Sequence, residues 1–244
     1  MKMVLLKNLG KLHPLHTSMH YIKNTLYILL FLIIYTAASA QNNFSGLGET
    51  MASVNHNFSK EYSANFAVRS RYFLYKNNLN YKQQQVDFYH FSTFKLNFIH
   101  KLSLGIYYRN RDWFNTGSDE WRFTQQFNVT KQKLGVRYGH RIRFEQRLFN
   151  TFTAFRQRYR FAVDFPLNGE KLNIGETYLV ASTEALVSLS EAHEPLFDQR
   201  FTSLIGWQID QNLKLQSGLE FRWESYNVKA KNNLYLLTAA ILKI

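Results

Sequence analysis

From about residue 46 to the C-terminus, apolar and polar residues alternate with period two in runs broken by clusters of Asn, Lys, Gly and Asp. Such alternation marks a strand with two unlike faces. It predicts strands over 46–57, 62–75, 85–99, 102–112, 120–130, 133–148, 152–165, 173–188, 197–210, 213–226 and 232–244. A globular strand runs to about five or six residues. These are longer, and a tilted strand crossing a bilayer needs about 9–11.

The faces differ in chemistry. Strand 133–148 sets Leu134, Val136, Tyr138, Ile142, Phe144 and Leu148 against Arg137, Arg141, Arg143, Glu145 and Arg147. Strand 152–165 sets Phe155, Tyr159, Phe161, Val163 and Phe165 against Arg156, Arg158, Arg160 and Asp164. A soluble sandwich buries its apolar face, whereas a membrane barrel turns that face to lipid and its polar face to the lumen. Alternation fits both, so connection lengths must separate them. Gaps 76–84, 113–119, 189–196 and 227–231 read as long, and 58–61, 100–101, 131–132 and 211–212 as short, with 149–151 and 166–172 breaking the rule. One-sided loops are a trait of outer-membrane barrels. The expected fold is therefore all-β, an antiparallel transmembrane barrel. Bacterial single-chain barrels carry even strand numbers, so eleven segments predict twelve strands, or ten if 46–57 is not a full strand.

The N-terminal region reads as an export signal. Lys2, Lys7, Lys11 and Lys23 precede the apolar run Thr25 to Tyr35, which is followed by Ala38-Ser39-Ala40. A basic region, a short apolar core and a small-x-small site describe a secretory signal peptide over 1–40, with the barrel domain over 41–244. Met19 is an alternative translation start, because Met19-His-Tyr-Ile-Lys23 supplies a basic region of ordinary length.

Composition refines this picture. The chain has 244 residues, 45% hydrophobic and 16% aromatic, and no cysteine. That excludes a disulfide framework, a thiolate metal site and a cysteine nucleophile. The net charge of +13 would ordinarily suggest a polyanionic partner. Without residues 1–40 the chain keeps 26 basic against 17 acidic residues, a net +9. Its fourteen arginines all fall on the polar face of a predicted strand, while lysines 60, 76, 82, 101, 131, 133, 171, 229 and 231 fall in gaps and turns. With the basic residues divided in this way, no exposed basic stripe remains for nucleic acid. Trp113, Trp121, Trp207, Trp223, Tyr107 and Tyr108 lie near strand ends and are candidates for aromatic girdles.

Two readings of the inward arginines follow. In one, Arg137, Arg141, Arg143, Arg147, Arg156, Arg158 and Arg160 line an anion-favouring path or solute site, as Arg rings do in anion pores. On those two strands only Glu145 and Asp164 offset them. In the other, carboxylates of matching parity, among them Glu145, Asp164, Glu184, Asp198 and Glu220, pair with the arginines and close the lumen.

The run His140-Arg-Ile-Arg-Phe-Glu-Gln-Arg147, then Arg156-Gln-Arg-Tyr-Arg160, Glu184 and Phe197-Asp-Gln-Arg200 resembles the Arg-rich barrels of domain-of-unknown-function family 2490. The likeness runs from about Ala64 to the C-terminus. It implies an outer-membrane β-barrel of Gram-negative bacteria with no established activity. The final Ile244 departs from the aromatic residue that commonly ends an outer-membrane strand.

Catalytic chemistry is sparse. His90-Phe-Ser92 puts a base and a hydroxyl on one outward face, in the His-x-Ser spacing of outer-membrane lipid A deacylases, but no outward acid flanks them because Asp87 has the opposite parity. A lipid-modifying enzyme is accordingly the third choice, and no enzyme is expected. The histidines show no metal-ligand spacing and there is no Gly-rich phosphate loop, so no cofactor or metal is expected. The expected partners are outer-membrane lipid and possible other outer-membrane proteins. The leading function is a small anion-favouring channel or solute-binding barrel, and the alternative is a closed structural or accessory barrel.

Overall fold

In the computed structural model the described residues are 43–244. The segment read as a signal peptide, 1–40, lies outside them. Eleven strands follow in chain order: β1 (Phe44–Asn57), β2 (Tyr62–Lys76), β3 (Asn78–Lys95), β4 (His100–Asn110), β5 (Glu120–Lys133), β6 (Val136–Leu148), β7 (Thr153–Pro166), β8 (Thr177–Ser190), β9 (Leu196–Gln208), β10 (Leu213–Glu224) and β11 (Lys231–Lys243). Each pairs with its chain neighbours, and β1 pairs with β11 to close a barrel. Among the described residues no helix is long and apolar enough to cross a membrane.

Among the described residues the strand number is eleven, close to the twelve expected, and every segment read from the alternation corresponds to a strand, although 173–176 lie in the turn before β8. An odd ring cannot be antiparallel throughout. The conflict is absorbed at one seam, where β1 and β11 run parallel from Phe44 beside Asn232 to Asn55 beside Lys243. Beyond the ladder, Ile244 N–H donates to Asn55 O at 2.8 Å, and His56 Nδ1 lies 3.1 Å from Ile244 O.

The outer surface settles which way the faces point. Phe66, Leu104, Ile106, Phe123, Ile142, Phe144, Phe155, Phe201, Ile205 and Leu219 are all exposed, while Arg71, Arg109, Arg122, Arg222, Asp87, Glu120 and Glu145 are buried. That inverts the arrangement of a soluble protein and is the surface a membrane barrel offers to lipid. Aromatic residues gather at both rims. Tyr108 packs on Trp121 at 4.7 Å and Trp223 on Tyr226 at 4.9 Å at one rim, and Phe58, Tyr62 and Phe94 stack in series at the other. Tyr107 departs from its expected girdle role. It shares the parity of Arg109 and is buried in the interior.

The loops are less one-sided than their composition suggested. The expected long gap 76–84 is a turn at Asn77 alone, whose φ of 67° lets the chain reverse, and 78–84 continue as β3. Asn, Lys and Gln in that stretch mimic a loop, but they pair back onto β2. The β7–β8 connection, 167–176, is long on the opposite rim.

The β5–β6 turn contains Leu134 at φ 49° followed by Gly135 at φ 75°, so Leu134, expected on the lipid face, sits in the turn instead. A left-handed Leu costs about 1–2 kcal/mol, and Asn is favoured at that position of a hairpin. Leu134→Asn is expected to raise the stability of the barrel by about 1 kcal/mol, read as a higher denaturant midpoint at unchanged slope.

The loop 111–119 is pinned by Asp119, which accepts from Tyr108 Oη (2.6 Å), Arg111 N (2.8 Å), Asp112 N (3.0 Å) and Asn110 Nδ2 (3.1 Å). Partial burial works to raise the Asp119 pKa, but these bonds outweigh it and hold the carboxyl below its ordinary value. A depressed acid contributes stability above its unfolded pKa and loses it as pH falls through the folded value. Protease cleavage within 111–119 is therefore expected to accelerate below about pH 4, and Asp119→Asn should be cut rapidly at neutral pH as well.

Candidate functional site

Because strand side chains alternate, each inward arginine lies opposite whatever the neighbouring strand presents at the same level. The register produces four like-charged pairs: Arg122 with Arg147, Arg143 with Arg158, Arg141 with Arg160, and Arg222 with Arg200. Directly opposed like charges are destabilising, and three glutamates relieve most of that cost.

Each of the three gathers three arginines. Glu49 meets Arg71 at 2.7 Å, Arg69 at 3.3 Å and Arg222 at 3.5 Å. Glu120 meets Arg147 at 2.6 Å, Arg109 at 3.7 Å, and Arg122, which closes on it through Nε and through Nη2 at 3.0 Å. Glu184 meets Arg158 at 2.5 Å, Arg141 at 2.8 Å and Arg200 at 3.7 Å. Glu145 joins the third cluster through Arg158 at 3.0 Å and also meets Arg143 at 3.5 Å. Aromatic faces take part as well. The guanidinium of Arg222 lies 3.7 Å from the Tyr235 ring centre and that of Arg122 lies 4.5 Å from Tyr107.

The interior remains over-supplied with positive charge. Fourteen arginines share the polar face with Glu49, Asp87, Glu120, Glu145, Asp164, Glu184, Asp198, Glu220 and Glu224, leaving five in excess. Among the described residues Arg156 donates only to Ser188 Oγ, at 2.7 Å. Arg160 makes no ion pair among the described residues, and its buried Nε has no acceptor there. The Nε atoms of Arg141, opposite Arg160, and of Arg200 are buried and unpartnered in the same way.

The model of a family described as "Protein of unknown function (DUF2490)" matches residues 50–233. The chain belongs to this family. The DUF2490 match takes in all of the Glu120, Glu145 and Glu184 clusters and stops one residue short of Glu49. A search of curated proteins finds no match. Among solved structures, LpxR from Salmonella typhimurium is similar at 9% identity and a TM-score of 0.47, covering 75% of this chain and 83% of that one.

Within this DUF2490 barrel the expected arginine wall is continuous but mostly neutralised. Arg137 pairs with Asp164 at 2.9 Å, Arg141 and Arg158 with Glu184, Arg143 with Glu145 and Gln126, and Arg147 with Glu120. Among the described residues, only Arg156 and Arg160 of the seven lack a carboxylate. The sequence balance on β6 and β7 understated the acids because Glu120 and Glu184 reach in from β5 and β8. Of the acids expected as partners, Glu220 takes Arg222 and the Thr202 hydroxyl. Asp198 holds no arginine among the described residues. It accepts the Ser225 backbone N–H at 2.8 Å and fixes the β10–β11 turn. The Glu49 and Glu120 clusters were not foreseen as sites. Parity already placed Glu120 inward, whereas Glu49 belonged to a first strand whose membership of the barrel was open.

Proposed function

We propose that this protein is an outer-membrane barrel that binds an oxyanion, such as a phosphate or carboxylate group, in its interior, rather than an open porin. The export-signal pattern and the apolar exterior support the location. One observation carries the binding reading: Arg160 and Arg141 face each other with buried, unpartnered Nε atoms beside Arg200. Arg141 and Arg200 already share Glu184, but Arg160 has no carboxylate among the described residues; buried guanidinium N–H groups without an acceptor are costly, and a bidentate oxyanion is the ligand that guanidinium geometry fits. The Glu-centred clusters favour a second reading, a closed structural barrel with no ligand.

Melting of the refolded barrel in detergent, with and without phosphate at constant ionic strength, distinguishes the two. Binding at a hundred times Kd is worth about 2.7 kcal/mol, so the melting temperature should rise with phosphate. Arg160→Gln is expected to abolish that rise while stabilising the anion-free barrel, since it removes a like-charge neighbour of Arg141. A wild-type barrel that ignores phosphate and sulfate supports the closed structural reading.

A further inference from the structure

The lipid-facing surface carries several polar side chains that the interior reading leaves unused, among them His140 Nδ1 2.9 Å from Tyr159 Oη, and one group joins an imidazole to a serine hydroxyl. On the outer face of β3, His90 Nε2 lies 3.0 Å from Ser92 Oγ, and the Tyr62 hydroxyl on β2 lies 3.0 Å from the same oxygen. Across the ladder these residues meet Phe66, Ala64, Leu104 and Ile106. Ionisable groups are expensive on such a surface and mark function. The ring of Phe66 lies 4.4 Å from that of His90 and holds the imidazole against the barrel wall. His90 Nδ1 is buried with no hydrogen-bond partner among the described residues.

The depth is informative. Tyr62 belongs to the rim stack of Phe58 and Phe94, the kind of aromatic belt that marks the membrane interface. Ser92 precedes the end of β3 at Lys95 by three residues, about 10 Å at the rise of a strand. It therefore lies just inside the belt, at the level where the acyl esters of membrane lipids join headgroup to hydrocarbon.

We propose that Ser92 and His90 form a nucleophile and base that cleave acyl esters of membrane lipids, with Tyr62 donating to the developing oxyanion. Ser92 Oγ bonds to the ester carbonyl carbon as its proton passes to His90 Nε2. The ester C–O bond then breaks, and His90 returns the proton to the departing alkoxide, releasing the deacylated lipid. Water, deprotonated by the same nitrogen, attacks the acyl-serine, freeing a fatty acid and restoring the Ser92 hydroxyl. Phe66 supplies the orientation that a carboxylate gives in a triad but not its charge, so turnover is slow.

The test uses the full chain refolded in micelles. A fluorophosphonate probe, with mass spectrometry of the adduct, reads the nucleophile. Fatty acid release from phosphatidylethanolamine and, in a separate arm, from lipid A reads the reaction and tells the two lipid sources apart. Labelling at Ser92 is expected, and it should be lost in Ser92→Ala and His90→Ala while both keep the heat-modifiable gel mobility of a folded barrel. Tyr62→Phe should lower kcat about a hundredfold, as loss of an oxyanion donor does, with KM little changed. Folded wild-type protein that takes no label and releases no acid from either lipid overturns the proposal. So does label or acid release that persists in Ser92→Ala.

Discussion

Replacing Glu120 by Gln is expected to cost the barrel about 3–5 kcal/mol, the range for breaking a buried ion pair from one side. The Glu120 side chain is fully buried, and its two oxygens serve Arg147, Arg122 and Arg109. Gln keeps the shape but removes the charge, so Arg122 and Arg147 face each other across the ladder with no counter-charge between them. Arg109 retains Asp87 at 2.8 Å and suffers least. The reverse change, Arg147→Gln, should cost less, because Glu120 keeps two cations and one like-charge contact disappears. Urea unfolding in detergent, followed by the fluorescence of the adjacent Trp121, measures both. Equal midpoints for the two variants would show that the carboxylate is not the centre of the cluster.

Placing a charge outside should be nearly as damaging, for the opposite reason. Leu219 lies midway along β10 and is 50% exposed in the absence of lipid. In a soluble protein such a position tolerates substitution to within about 0.5 kcal/mol. At the midplane of a bilayer, Leu219→Arg is expected to cost about 2–4 kcal/mol. Leu167, equally exposed at 51% but in the β7–β8 turn, provides the control, since Arg there stays in water. Reversible folding into phospholipid vesicles, titrated with denaturant, gives both values. Similar small effects at the two sites would mean that the apolar belt does not meet lipid.

Much of this architecture is legible from local pattern. The inward placement of Arg141, Arg143, Arg158 and Arg160 needs only their even spacing and the apolar character of Ile142, Tyr159 and Phe161 beside them. Where the reading failed, a local rule lacked its non-local partner. Residues 78–84 looked like a loop because Asn, Lys and Gln are poor strand formers, yet pairing with β2 makes them strand. Leu134 fitted the apolar face of β6, yet the two-residue connection to β5 draws it into the turn. The His90–Ser92 spacing was visible, but the approach of Tyr62 depends on how β2 and β3 pair.

Apart from 78–84 and Leu134, the strands and their faces follow from the amino-acid order, because side-chain direction in a strand follows from parity alone and apolar surface must leave water or meet lipid. The same parity shows that the interior carries more arginine than carboxylate. Which carboxylate each arginine meets, which arginines are left over and how the eleven described strands close could not be read there. Those depend on register between strands and on a β1–β11 pairing that joins opposite ends of the barrel sequence, a contact no local pattern encodes.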